Sequence, residues 1–89
     1  MELKDKVILI TGAAERVGRQ VALHMASQKG AHIAFTYFLE NEPWQETEAN
    51  LQDLGVKAKA YHLDICSPAE IKRVVAAVLN DFGRIDALV

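Results

Sequence analysis

The chain carries one cysteine, two prolines and no apolar run long enough for a membrane span or the core of a signal peptide. A helix that crosses a bilayer needs about 20 apolar residues, and the charged start Glu2-Leu-Lys-Asp-Lys6 leads only into a short apolar stretch, so a cytoplasmic location with no membrane partner is expected. Cys66 has no second cysteine to pair with, a usage that fits a reducing compartment. Positive charge is not in excess either. Ten Lys and Arg stand against 12 Asp and Glu, a formal net charge of −2, and without a basic stripe no nucleic-acid partner is expected. His24, His32 and His62 fall on different expected elements without ligand spacing, so no metal site is expected. Eighty-nine residues make at most one small domain. A domain of this size buries only about 60–65% of the surface its unfolded chain exposes.

What is present is a rhythm of glycines. Gly30, Gly55 and Gly83, spaced 25 and 28 residues apart, each close a helical stretch and precede an apolar run, which is the period of a strand-plus-helix unit. Strands are expected near 6–11, 31–37, 57–63 and 85–89. A first helix over 16–29 has Gly18, Ala22 and Ala26 as a small-residue strip for close packing, with Val17, Val21 and Met25 beside it. A second helix over 44–54 has Leu51 and Leu54 as its inward candidates, and Trp44 is read as a packing residue. The third follows Pro68, with Ile71, Val74, Val75, Val78, Leu79 and Phe82 on one face, Ser67 as N-cap and Glu70 completing a capping box. Alternating strands and helices imply parallel strands joined by right-handed crossovers. The expected fold is α/β, a Rossmann-like doubly wound sheet, partial, with about four strands in the order 3-2-1-4 and three helices. Its fourth strand would be an apolar edge open to self-association.

The first strand runs directly into Thr11-Gly12-Ala-Ala-Glu-Arg16-Val17-Gly18 and then a helix. Glycines let backbone approach a phosphate, and a helix N-terminus offers unpaired N–H groups and a partial charge of roughly +0.5. A purely conformational glycine turn is the competing reading. The stretch is not a P-loop, since no Gly-Lys-Ser/Thr ends it, and it lacks the G-x-G-x-x-G spacing. Arg16 reads either as a bidentate phosphate donor or as a solvated first-turn residue.

Thr-Gly-x-x-x-Arg-x-Gly resembles the Thr-Gly-x-x-x-Gly-x-Gly motif of the short-chain dehydrogenase/reductase family. The likeness continues through His62-Leu-Asp64-Ile65, similar to the family's Asp after the third strand, and through Asn80 to Val89, similar to the approach to its Asn-Asn-Ala-Gly motif. The resemblance implies an NAD(P)-dependent oxidoreductase with Gly12, Arg16, Val17, Gly18, Tyr37, Asp64 and Ile65 as cofactor-binding residues. Asp64 would contact the adenine ring; its other reading is a turn cap. Arg16 in place of the middle glycine is similar to the pteridine reductase-like branch, which uses NADPH. The second strand ends in Thr36-Tyr37-Phe38, without the carboxylate that accepts from a ribose 2′-hydroxyl, which favours NADP(H). Glu15, Glu40 and Glu42 make the neighbourhood acidic and keep NAD(H) as the alternative. Asp86 is read as structural, holding loop backbone near the sheet.

The family's catalytic Tyr-x-x-x-Lys is not found: Tyr37 is followed at plus four by Asn41 and Tyr61 by Ile65, while Ser27 and Ser67 belong to a helix and a helix cap. No catalytic residue is assigned, and residues 1–89 are expected to be the N-terminal part of a dinucleotide-binding domain, inactive alone, with the catalytic half beyond Val89. The expected whole is an NADP(H)-dependent oxidoreductase acting on a carbonyl or pterin-like substrate. The alternative is a free-standing nucleotide-binding or nonfunctional fragment.

Overall fold

The computed structural model describes residues 2–89. Four strands, β1 (Val7–Ile10), β2 (His32–Tyr37), β3 (Ala58–His62) and β4 (Ala87–Leu88), alternate with α1 (Arg16–Lys29), α2 (Trp44–Asp53) and α3 (Pro68–Phe82). All pairings are parallel and the order is β3-β2-β1-β4, as expected from the sequence. The fourth strand is shorter than expected, although backbone pairing continues past it: Val89 N donates to Leu9 O and Thr11 N donates to Val89 O.

Two-residue alternation along the strands sends side chains to opposite faces and divides the core. Ile8, Ile10, Ile33, Phe35 and Tyr37 pack on the face covered by α1 and α2, while Leu9, Ala34, Tyr61 and Leu63 pack beneath Val74 and Val78 of α3. Every residue of β1 is buried, as a strand covered on both faces requires.

Ala22 and Ala26 of α1 are buried as the small-residue strip requires, but Val17 is 77% exposed. It stands on the first turn, at the C-terminal end of the strands, where no sheet lies beneath it. Leu51 is buried and Leu54 is not, because α2 ends at Asp53 and the chain turns away through Gly55, whose φ of +88° is left-handed. On α3, Val74 and Val78 are buried while Ile71 and Leu79 remain more than a third exposed, since the described sheet underlies only the middle of that wide face.

Ser67 caps α3 by accepting from Glu70 N at 3.3 Å. The expected box does not close, because Ser67 N donates to Asp64 O and the Glu70 carboxylate accepts from Asp64 N at 3.2 Å. The cap therefore binds α3 to the turn that precedes it. Asp86 has the structural role expected of it: Oδ2 accepts from Val7 N at 2.8 Å and Oδ1 from the Arg84 guanidinium, fixing the approach to β4 against the start of β1.

Candidate functional site

The C-terminal ends of β1, β2 and β3 open into a cleft of about 370 Å³ lined by Thr11, Gly12, Thr36, Tyr37, Phe38, Glu42, Leu63, Asp64, Ile65 and Cys66. It lies on the β2 and β3 side of β1, the strand at which the chain reverses its winding direction. In open α/β sheets ligands bind at such a switch point.

The turn after β1 is built for close approach. Gly12 has a φ of +69°, and a β-carbon there would meet nothing within 4 Å, so the turn presents bare backbone to open space. Gly18 is the opposite case: its β-carbon would lie 2.4 Å from Gly12 O and 2.9 Å from Ala13 Cα, so only glycine lets α1 dock on the turn. Arg16 sits at a φ of +61°. Left-handed backbone costs a residue with a β-carbon about 1–2 kcal/mol, which accounts for the glycine in the pattern this position departs from. Its side chain is exposed and makes no hydrogen bond among the described residues.

Two threonines hold the turn in place. Thr36 accepts from Gly12 N through Oγ1 at 3.1 Å and from Ala13 N through its carbonyl at 3.2 Å. Thr47 on α2 is fully buried, donates to Ala14 O at 2.6 Å and accepts from Arg19 Nε at 3.2 Å. The first turn of α1, by contrast, has no side-chain cap and no acidic residue. Its leading N–H groups are thus left without a side-chain partner, an arrangement suited to an anion.

Of the residues expected at a cofactor site, the cleft brings together Gly12, Tyr37, Asp64 and Ile65, while Arg16, Val17 and Gly18 lie outside its lining, on the helix start beside it. Tyr37 is nearly buried, its ring stacked on Trp44 at 4.7 Å and 5°, the packing role expected of the tryptophan. Burial pushes the Tyr37 hydroxyl pKa up, with Glu40 and Glu48 adding to the shift. Phe38, one residue on, is 54% exposed and stacks on His62 at 6.1 Å, so it supplies the open aromatic wall. Asp64 serves turn chemistry through Oδ1, which accepts from Cys66 N at 2.9 Å, and lines the cleft as well. The turn is secured by Glu70 on Asp64 N and by Arg73, which donates to His62 O at 2.9 Å.

Sequence reasoning assigned no role to Thr47 or to the Phe38 ring, and read Glu42 only as part of an acidic neighbourhood, not as a partner of backbone amides. Phe38 is exposed because it lies one residue past the end of β2, a boundary that residue pattern alone does not mark. Nothing local marks Thr47, whose partner Ala14 lies 33 positions away. Among the described residues there is no metal-ligating cluster, and no helix is long and apolar enough to cross a membrane.

The family model described as short chain dehydrogenase matches residues 6–89. The L-rhamnose 1-dehydrogenase (NAD(P)(+)) of Sphingomonas sp. (strain SKA58) is 34% identical over 87 residues, covering 98% of this chain and 34% of that protein. The NADP-dependent mannitol dehydrogenase of Aureobasidium melanogenum is 35% identical over 91 residues, covering all of this chain and 34% of that protein. The crystal structure of NAD+-bound xylitol dehydrogenase superposes with a TM-score of 0.90 at 34% identity, over 99% of this chain and 33% of that one. The chain thus spans about a third of the length of the curated relatives it matches.

Proposed function

The chain belongs to the short-chain dehydrogenase family, and from that premise we propose that residues 1–89 form the N-terminal part of the dinucleotide-binding domain of an oxidoreductase. NADP(H) is the proposed cofactor and NAD(H) the alternative. The observation that carries this reading is the uncapped, acid-free first turn of α1, docked on bare backbone at Gly12 through a contact that only Gly18 permits. In this reading Gly12, Arg16, Val17 and Gly18 surround the pyrophosphate, and Tyr37, Asp64 and Ile65 the adenosine, with Phe38 as the exposed ring beside them. When bound, the dinucleotide supplies or accepts a hydride.

The proposed substrate is a carbonyl compound or the corresponding alcohol, which the L-rhamnose and mannitol dehydrogenases among the relatives favour. A pterin-like ring is the variant favoured by the Thr-Gly-x-x-x-Arg-x-Gly spelling.

Thermal melting with and without NADPH tests the binding site. A ligand at 100 times its Kd stabilises the folded state by about 2.7 kcal/mol, and each kcal/mol moves the Tm of a domain this size by roughly 4–8 °C. Gly12→Asp should abolish the shift while the protein still folds, because Asp is among the residues that tolerate left-handed backbone and the space in front of Gly12 is open. Melting of the unsubstituted protein that responds to neither NADPH nor NADH overturns the reading.

A further inference from the structure

We infer that the Glu42 carboxylate competes with the 2′-phosphate of NADP(H) for one pair of backbone amides and thereby sets the balance between the two nicotinamide dinucleotides. The inference rests on the reading of the cleft as the adenosine site. Glu42 Oε2 accepts from Phe38 N at 2.9 Å and from Leu39 N at 2.5 Å. Two successive N–H groups converging on one oxygen form an anion-binding nest. They follow directly on Tyr37, the last residue of β2, and the end of this strand is where a dinucleotide fold meets the ribose 2′-position. The backbone turns the side chain back over the nest: Glu42 N donates to Leu39 O at 3.0 Å and Trp44 N donates to Glu42 O at 2.8 Å.

The surrounding charge acts in the same direction. The cleft lining includes two carboxylates, Glu42 and Asp64, and neither lysine nor arginine. A 2′-phosphate entering this space meets like charge, and it gains the two amides only when Glu42 swings out. A 2′-hydroxyl can instead donate to the carboxylate where it stands. Glu42 in place therefore favours NAD(H). NADP(H), the cofactor proposed above, binds with Glu42 displaced and gains the nest at the cost of these contacts, so the carboxylate narrows the preference between the two.

The test is the ratio of NADPH to NADH affinity, measured by titration in the protein as its source makes it and in Glu42→Gln. Removing the charge should raise the ratio in favour of NADPH by roughly tenfold, the scale of a charge-assisted hydrogen bond. A second measurement needs no variant. In the unsubstituted protein, 2′,5′-ADP should shift the amide resonances of Phe38 and Leu39 further than 5′-ADP does, as one acceptor replaces another. An unchanged ratio with both cofactors bound, or equal amide responses to the two nucleotides, overturns the inference and leaves the cofactor reading standing. Failure of the unsubstituted protein to bind any of these ligands overturns both.

Discussion

Gly12 N donates to Thr36 Oγ1 at 3.1 Å, so a hydroxyl at the end of β2 holds the turn that follows β1. Thr36 is almost fully buried and also receives Ala13 N on its carbonyl. One residue thus fixes the two amides that would otherwise let the turn drift. Fixing them leaves the uncapped first turn of α1 as the remaining set of donors, which ties the geometry of the proposed anion site to a strand rather than to a loop.

Thr36→Val keeps the shape and removes the acceptor. The Gly12 amide is part-buried, so the variant should lose about 0.5–1.5 kcal/mol, the net worth of one hydrogen bond, in urea denaturation. NADPH affinity should fall as well, since the turn loses its fixed position. Unchanged stability and affinity together would show that the hydroxyl does not anchor the turn.

Arg16 combines strain with an exposed charge. Arg16→Gly relieves the left-handed backbone at a φ of +61° but adds freedom to the unfolded chain, for a net gain of order 0.5–1 kcal/mol. Removal of the guanidinium should weaken NADPH binding. Stability and affinity should therefore move in opposite directions, by melting and by titration. A variant that binds NADPH as tightly as the unsubstituted protein would make Arg16 a solvated first-turn residue.

Acid should loosen the contact between β3 and the end of α3. Hydrogen bonds from Lys59 and then Tyr61 hold the Asp81 carboxyl at a pKa of about 2, below its ordinary 3.8, and the Arg84 guanidinium followed by Val7 N lowers Asp86 as well. A lowered folded-state pKa means that the unfolded chain binds more protons in this window. The contribution is therefore present above about pH 4 and lost as the pH falls towards 2. On the alkaline side, burial and then the Asp81 hydrogen bond raise the Tyr61 pKa, so its contribution is present below pH 10 and lost above it. Melting curves from pH 2 to 11 should show Asp81→Asn flattening the acid limb and Tyr61→Phe the alkaline one.

The strand and helix series, the 3-2-1-4 order and the glycine turn were legible in the chain because each is written locally, in period, caps and glycine spacing. Ser67 before Pro68 marks α3 within four residues. Leu54 was misread because apolar character says nothing of where a helix stops, and the exposure of Val17 was not legible because a helix period does not reveal how far the sheet extends beneath it. Trp44 was read correctly as packing, but the partner it stacks on, Tyr37, was not legible, because the two rings meet only once β2 and α2 are placed side by side. Thr47 was missed because it acts on backbone 33 positions away, a contact that depends on tertiary placement. Glu42 was read for its charge alone because its hold on Phe38 N and Leu39 N depends on how the loop after β2 turns.

Gly18→Ala separates packing from conformation at the turn. The added methyl would lie 2.4 Å from Gly12 O and 2.9 Å from Ala13 Cα, both backbone atoms, so no side chain can rotate out of the way. The start of α1 must retreat from the turn, at a cost of about 1–3 kcal/mol, and NADPH affinity should fall with it. Gly12→Ala meets open space and pays only for its left-handed φ, about 1–2 kcal/mol, with α1 still docked. Hydrogen exchange distinguishes the two. Gly18→Ala should speed exchange along the first turns of α1, whereas Gly12→Ala should leave that helix protected. If Gly18→Ala protects α1 as the unsubstituted protein does, the close contact between helix and turn is not what places the anion site.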